Sequence, residues 1–179
     1  MVIVFLADGF EEAEALVPVD ILRRCGIEVK TVSIMKSKNV MGTHSIEVMA
    51  DEHYENFKAE KISAVILPGG LPGADHLENS DYVKEAVLSA NKEGKLVCAI
   101  CAAPKVLGKH GILKGKKAVC YPGFEDKLTG ATTSEEGVMV DGNIITSRAA
   151  GKCFDFAFAI AKALGKEDEA KKVKEGILY

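Results

Sequence analysis

The stretch KLVCAICAAPKVLG, residues 95–108, carries the local pattern that decides the fold. Its first part, KLVCAI (95–100), is a short apolar run, which is typical of a strand buried on both faces of a sheet. The residues that follow, CAAPKVLGKHG (101–111), are mostly small and helix-favouring, and they predict a helix directly after the strand. The stretch therefore predicts one strand–helix unit with Cys101 at the turn between its two elements.

The same order of strand and helix recurs along the chain. The predicted strands are 1–7, 27–34, 62–70, 95–100 and 116–120, and the predicted helices are 11–26, 80–94, 101–111 and 151–165. A hairpin is predicted at 137–148, and residues 39–51 are predicted to form a hairpin or an extended segment. Apolar strands that alternate with helices indicate a mostly parallel sheet covered on both faces, the doubly wound α/β class. No linker or repeat divides the sequence, so we predict a single domain over residues 1–179.

Composition narrows the possible functions. The 179 residues are 47% hydrophobic and carry a net charge of -3, with no basic stripe that would indicate nucleic-acid binding. The N-terminal apolar run MVIVFLA (1–7) lacks a preceding positive region and is far shorter than the roughly 20 residues of a membrane span. The five cysteines form no disulfide framework. We therefore expect reduced thiols, a cytoplasmic location and no membrane partner.

In doubly wound sheets, ligands bind beyond the carboxyl ends of the strands. After the first predicted strand, Glu11, Glu12 and Glu14 begin a helix, where acids complement the helix dipole. Glu14 differs from the other two because an apolar helix face begins directly after it. We expect its carboxyl group to point inwards, where burial would raise its pKa.

A second strand end carries Gly69 and Gly70 in the segment PGGLPG (68–73). Two glycines after a strand form a plain tight turn, or they allow the backbone to approach a ligand and offer amide N–H groups to an anion. The sequence leaves both interpretations open. The spacing lacks the GxGxxG and GxxxxGK[ST] patterns, so a nucleotide site is not predicted.

The third strand end carries Cys101, and the pair Cys98-x-x-Cys101 allows three interpretations. A redox dithiol is disfavoured because Cys98 lies inside the predicted strand, where side-chain alternation turns it away from Cys101. A zinc site is disfavoured because the sequence has no second CxxC or HxxxH, so no metal is predicted. We favour a single reactive cysteine on a cramped turn, with thiolate favoured by the helix N-terminus.

Three further side chains are candidates for the same edge of the sheet. His44, in the predicted hairpin, and His76, after the glycine turn, could both approach the strand ends, although neither belongs to a motif. Arg148 ends the last predicted strand and is either a structural cation or a residue that lines the site.

These strand ends together resemble a known family. The segments DGFEEAEALVPVDILRRCGIEV, ILPGGLPGADHL, VCAICAAPKVL and ITSRAAGKCFDFAFAIAKAL look like the ThiJ/PfpI superfamily, in the right order and across the whole chain. The nearest branch is that of the Parkinson-disease protein deglycase and its bacterial YajL-like relatives. The resemblance implies a flavodoxin-like sandwich, a homodimer and no cofactor.

The resemblance also implies residue roles. The family's reactive cysteine falls on Cys101 and its conserved acid, protonated and hydrogen-bonded to the sulfur, on Glu14. The amides of Gly70 and Ala102, beside Gly69, would stabilise an oxyanion. The implied activities are cysteine-dependent conversion of 2-oxoaldehydes such as methylglyoxal and glyoxal, repair of their early glycation adducts, and a redox-sensing chaperone role based on oxidation of the cysteine.

At three positions this chain carries a different residue from the one found in members of the resembling family. Peptidase-like members place a histidine directly after the cysteine, where this chain has Ala102, so a PfpI-type cysteine peptidase is the disfavoured third alternative. A histidine that many close relatives carry near the site falls on Tyr121, and a basic residue supplied by the hairpin falls on His44. Both departures concern substrate preference and leave the pair of Cys101 and Glu14 intact.

Overall fold

The apolar, β-branched segments form strands at the centre of the molecule. The structure is a computed structural model, and it describes residues 1–57 and 61–179. The strands are β1 (Val2–Leu6), β2 (Val29–Ser33), β3 (Asn39–Met41), β4 (Glu47–Met49), β5 (Glu52–His53), β6 (Ala64–Leu67), β7 (Leu96–Ile100), β8 (Lys117–Ala118), β9 (Thr132–Thr133), β10 (Val138–Asp141) and β11 (Ile144–Ser147). The helices are α1 (Glu12–Arg24), α2 (Gly73–Asn79), α3 (Asp81–Lys92), α4 (Pro104–Lys109), α5 (Cys153–Ala163) and α6 (Glu167–Gly176).

In the described ranges, seven strands form one sheet in the order β10-β11-β7-β6-β1-β2-β5. Every neighbouring pair is parallel except the antiparallel hairpin of β10 and β11. The carboxyl ends of β1, β6, β7 and β11 therefore lie side by side at one edge of the sheet. This arrangement brings together segments that are far apart in the sequence.

Two apolar clusters cover the two faces of the sheet. Alternate residues of β1 face opposite sides, so that Val4 packs with α1 and α5 while Phe5 packs with α3 and α4. Helices on both faces of a mostly parallel sheet confirm the predicted doubly wound class. The single domain predicted over 1–179 stays a prediction, and residues 58–60 lie outside the described residues. Within the described ranges, no helix is both long and apolar enough to cross a membrane.

Three sequence predictions need correction. The helix predicted over 101–111 begins only at Pro104, because residues 101–103 form a turn. The strand predicted over 116–120 is a two-residue strand paired with β9, outside the main sheet. The sequence prediction also missed α2, which follows the glycine turn and has only seven residues.

Candidate active site

Cys101 occupies the sharp turn that follows β7. Its φ angle of 63° lies in the left-handed region, which is uncommon for residues other than glycine. Hydrogen bonds hold the turn on both sides, because the Cys101 N–H donates to the Ser147 carbonyl at 2.9 Å and its carbonyl accepts from the Tyr121 N–H at 2.8 Å. The next two residues are the small, buried Ala102 and Ala103. The structure therefore places Cys101 on an elbow of the predicted kind.

Glu14 lies in the first turn of α1 and points towards this elbow. Its side chain is almost fully buried, with the residue 1% exposed. Oε2 accepts a hydrogen bond from the Gly69 N–H at 2.9 Å. The carboxyl group also lies beside the Cys101 side chain, and each of the two groups shifts the pKa of the other. The inward orientation predicted from the sequence is therefore the one observed, and the acid and the thiol are direct neighbours.

Burial controls the ionisation of this pair. It raises the pKa of Glu14 to about 7, against smaller lowering effects from the hydrogen bonds with Cys101 and Gly69. It also raises the pKa of the Cys101 thiol to about 12, and the charge of an ionised Glu14 acts in the same direction. When Glu14 carries a proton, this repulsion is absent and the carboxyl can donate to the sulfur. Thiolate formation therefore depends on the proton of Glu14.

The thiolate predicted at Cys101 from the sequence is not favoured in this structure, because burial and Glu14 raise the pKa of the thiol. We expected the N-terminus of a helix to favour the charged form, but α4 begins three residues after Cys101 and has only six residues. The groups that lower the pKa of the thiol are instead the backbone amides of Ala102 and Gly70. Two local N–H groups, rather than a helix dipole, face the sulfur.

Both glycines of the predicted turn are required by close backbone approach. A Cβ atom on Gly69 would lie 2.6 Å from Glu14 Oε2 and 2.8 Å from the Cys101 Cβ. Gly70 has a φ of +83°, and a Cβ there would lie 2.4 Å from the Glu11 backbone nitrogen. This close approach is to groups of the protein itself, and the binding of an anion or ligand by the amides of this turn stays a prediction.

A cavity opens above the Cys101 sulfur. Its volume is about 330 Å³. It is lined by Glu11, Thr43, His44, Gly70, Leu71, Cys101, Ala102, Tyr121 and Phe124. Its wall combines apolar and aromatic groups with one carboxylate and one imidazole, and it has the size of a pocket for a small molecule.

The remaining sequence candidates separate into two groups. Tyr121 and His44 line the cavity. Arg148 donates to the Glu135 carbonyl at 3.0 Å and lies outside the cavity lining in the described part of the chain. His76 lies in α2 and lines a different cavity, with Tyr54 and Tyr82. Of these residues, only Tyr121 and His44 can contact a molecule bound at Cys101.

The sequence prediction missed the partnership of Glu12 with His44. Glu12 Oε1 accepts from the His44 backbone N–H at 2.8 Å, and Glu12 Oε2 lies 2.8 Å from His44 Nδ1. The two residues are far apart in the sequence, and Glu12 has the ordinary appearance of an acid at a helix start. The one feature of the sequence that is connected with this pair is the glycine at position 42. A Cβ there would lie 2.2 Å from Glu12 Oε1, so a side chain at this position would exclude the Glu12 carboxylate.

Among residues 1–57 and 61–179, one group of side chains has spacing suited to a single metal ion, namely Glu11, Glu12 and His44. Their ligand atoms lie within 4.8 Å of one another. Both carboxylate oxygens of Glu12 already face nitrogens of His44. A metal would have to displace the Nδ1 proton, so we interpret the group as an ion pair beside the cavity.

Comparisons with known proteins agree with this architecture. A family model described as the DJ-1/PfpI family matches residues 1–163. Protein dj-1beta of Drosophila melanogaster is 35% identical over 178 residues, covering 98% of this chain and 95% of that protein. The Parkinson disease protein 7 homolog of Danio rerio is 37% identical over 180 residues, with 98% and 95% covered. The solved structure of oxidized Toxoplasma gondii DJ-1 superposes with a TM-score of 0.95 at 35% identity, covering 99% of this chain and 97% of that one.

Proposed function

The chain belongs to the DJ-1/PfpI family, and we propose that it is a cofactor-independent, cysteine-dependent enzyme of the glyoxalase or deglycase type. Its substrates would be 2-oxoaldehydes such as methylglyoxal and glyoxal, or their early glycation adducts. The observation that carries the proposal is the close approach of the buried Glu14 carboxyl to Cys101 on its left-handed turn, since a Cβ on Gly69 would overlap both Glu14 Oε2 and the Cys101 Cβ. A carboxyl group with a pKa of about 7 can both donate and accept a proton near neutral pH.

The first proposed step is the addition of the Cys101 thiolate to the aldehyde carbon, which gives a hemithioacetal. Negative charge develops on the aldehyde oxygen as the C–S bond forms. In this proposal the amides of Gly70 and Ala102, which lower the pKa of the thiol, donate to that oxygen. These donors are backbone groups that need no rearrangement, so they can favour the charged state over the neutral aldehyde.

The second proposed step is a proton transfer between adjacent carbons. Glu14 first gives its own proton to the hemithioacetal oxygen and then, as a carboxylate, removes the proton from the former aldehyde carbon, so that an enediolate forms. A proton passes between the two oxygens of the enediolate, and Glu14 returns the carbon-bound proton to the neighbouring carbon. The product is a 2-hydroxyacyl thioester on Cys101, which water cleaves to the free hydroxy acid. Burial supports this role because a carboxyl group without access to water keeps the proton it has taken.

Two variants test the mechanism. Cys101→Ser and Glu14→Gln should each reduce methylglyoxal turnover by about 10³-fold or more, since nucleophile and proton carrier are both essential. Lactate formation from methylglyoxal measures the rate. Cys25→Ala, which changes a buried thiol at the far end of α1, is the control and should keep wild-type turnover. A Cys101→Ser protein that turns over at the wild-type rate would refute the proposal.

A redox-sensing chaperone role for the same cysteine is the second candidate. Among the five free cysteines, Cys101 is the one that is not buried. A protonated Glu14 could donate to a sulfinate on that sulfur and stabilise it. Mild peroxide followed by peptide mass spectrometry should find sulfinate at Cys101 alone, whereas oxidation scattered over all five cysteines would exclude this role. A peptidase function remains disfavoured, because Ala102 stands where peptidase-like relatives have their histidine.

We also propose that the chain forms a homodimer through α1 and the hairpin of β3 and β4. Large apolar side chains are exposed on these elements, namely Leu16, Met41, Ile46 and Met49. Met49→Glu should convert the dimer to a monomer in sedimentation analysis, and Val140→Glu, on the edge strand β10, should not. A Met49→Glu protein that stays dimeric would exclude this face. The five free thiols further suit a reducing compartment, and we propose the cytoplasm.

A further inference from the structure

One side chain of the cavity wall has a fixed orientation that the steps above do not use. His44 lies between β3 and β4 and lines the cavity that contains Cys101. Its side chain is 67% exposed in the single chain, and it borders the cavity in which the attacking water would lie. Glu14 differs in this respect, because it is buried behind the sulfur and is engaged by Gly69 and Cys101.

Glu12 holds His44 at two points. One carboxylate oxygen accepts the His44 backbone N–H, and the other faces Nδ1, both at 2.8 Å. Glu12 is itself buried, and Gly42 leaves room for its carboxylate because a side chain at that position would overlap it. The carboxylate beside Nδ1 raises the pKa of His44, and above that pKa it fixes the neutral tautomer with the proton on Nδ1, so we assign Nε2 as the free acceptor of the neutral ring.

The final step of the proposed function needs such an acceptor. Cleavage of the thioester requires a base that takes a proton from the attacking water. Glu14 is removed from solvent, and the other cavity walls are formed largely by Leu71, Tyr121 and Phe124. Glu11 also lines the cavity, but a carboxylate is ordinarily a much weaker base than imidazole.

We propose that His44 is the general base for thioester hydrolysis and that Glu12 is its positioning residue. His44 Nε2 takes a proton from water as the water oxygen bonds to the thioester carbonyl carbon. The tetrahedral intermediate collapses, the C–S bond breaks, and the electron pair of that bond stays on the Cys101 sulfur. The imidazolium then returns its proton to the sulfur, so that hydroxy acid and free thiol are the products.

This inference rests on the proposed function, and His44→Gln tests it separately. We expect kcat for methylglyoxal to fall by about 10²-fold, which is within the usual contribution of one general base. The distinguishing readout is a lactoyl adduct on Cys101, seen by intact-protein mass spectrometry after rapid acid quench. The adduct should accumulate in His44→Gln because the thioester still forms but is cleaved slowly. Assays contain a chelator, so that a metal adventitiously held by Glu11, Glu12 and His44 cannot be the source of activity.

Three further variants complete the experiment. His76→Gln changes an exposed histidine on α2 that lines a different cavity, and it should behave as wild type. Glu12→Gln should show a smaller fall in kcat with some adduct, because His44 keeps its acceptor but loses its fixed orientation. His44→Ala should release its adduct faster when imidazole is added, whereas wild type should not respond.

The outcomes separate the two proposals. If His44→Gln turns over at the wild-type rate, or slows without accumulating the adduct, the base role of His44 is wrong although the cysteine mechanism stands. If wild-type protein forms no lactate, or Cys101→Ser forms it normally, the proposed function itself fails. Adduct accumulation in His44→Gln together with imidazole rescue of His44→Ala supports both.

Discussion

Glu12 and Glu14 are two residues apart in the first turn of α1, and both are buried, yet their pKa values shift in opposite directions. Burial acts to raise both values. At Glu12, hydrogen bonds with the His44 ring and backbone outweigh burial and lower the pKa. At Glu14, the partners are a thiol and one amide, and burial prevails, with the pKa at about 7.

The difference shows that burial alone does not decide the charge of a carboxyl group. Both oxygens of the Glu12 carboxylate face nitrogen donors, and one of these donors is an imidazole that can carry charge. Such a carboxylate stays ionised even where it is poorly solvated. A carboxyl group whose partner is another weak acid holds its proton. The same helix turn therefore presents one fixed charge and one transferable proton to the same cavity region.

Shortening the two acids should have unequal effects on turnover. Glu14→Asp withdraws the carboxyl group from the Cys101 sulfur, and we expect kcat to fall by about 10³-fold because the proton carrier no longer reaches the reacting carbons. Glu12→Asp moves a carboxylate that is hydrogen-bonded to His44 and is not next to Cys101, and we expect a fall of roughly 10-fold. Lactate formation from methylglyoxal measures both rates. Equal losses would mean that the two carboxyl groups do not differ in role.

Gly69→Ala should disturb the surroundings of Glu14 and leave the pair of Glu12 and His44 unchanged. The added methyl group would overlap Glu14 Oε2 and the Cys101 Cβ, so one of them must move. We expect turnover to fall by about 10²-fold, as for an ångström-scale misplacement of reacting groups. Gly176→Ala, where a new Cβ meets nothing within 4 Å, is the control and should keep wild-type turnover. A Gly69→Ala protein with normal turnover would show that this close approach is dispensable.

Glu14→Gln should stabilise the protein while it removes activity. The folded-state pKa of about 7 lies above the ordinary value of 4.5, so the native state retains a proton that the unfolded chain releases between these pH values. Stability therefore falls as pH rises through this window, and the full penalty is present above it. At pH 8 we expect a gain of at most about 3 kcal/mol in the free energy of unfolding.

Urea denaturation at pH 4 and pH 8 measures this effect of Glu14→Gln. The gain should be present at pH 8 and nearly absent at pH 4, where wild-type Glu14 is protonated in both folded and unfolded states. An equal gain at both pH values would indicate better packing of the amide rather than removal of a buried charge.

Glu12→Gln should have the smallest effect on stability and the opposite sign. The lowered pKa of Glu12 gives stability that is present above its ordinary value of 4.5 and lost as pH falls through the folded value. The raised pKa of His44 gives stability that is present below 6.5 and lost as pH rises through the folded value. Their pairing therefore contributes most between these two pH values, and differential scanning calorimetry at pH 5.5 should show a Tm lower by about 2 °C. A higher Tm at that pH would contradict the lowered pKa of Glu12.

The sequence predicted the fold because strand and helix patterns agree with each other along the chain. The alternation of apolar runs and helices identified the doubly wound class, and the positions of Glu14, Gly69, Gly70 and Cys101 followed from their places at strand ends. Such positions can be predicted from the sequence because the carboxyl ends of neighbouring parallel strands lie at the same edge of the sheet. Their catalytic roles stay predictions.

What the sequence could not predict depends on contacts made by loops. The pairing of Glu12 with His44 joins a helix start to a hairpin turn across many residues, and no periodicity encodes it. The late start of α4 was missed because Cys101, Ala102 and Ala103 have helix-favouring neighbours, whereas the fold requires a left-handed conformation at Cys101. Tertiary hydrogen bonds to Ser147 and Tyr121 override the local preference.

The contacts of Cys101 with two distant segments also determine when during folding its surroundings form. Its N–H needs the carbonyl of Ser147 at the end of β11, and its thiol needs Glu14 after β1, so the reactive arrangement exists only when distant strands have paired. Contacts of such large sequence separation form late in folding. A nascent or partly unfolded chain therefore lacks these contacts, and the surroundings that set the pKa of the Cys101 thiol exist only in the native topology.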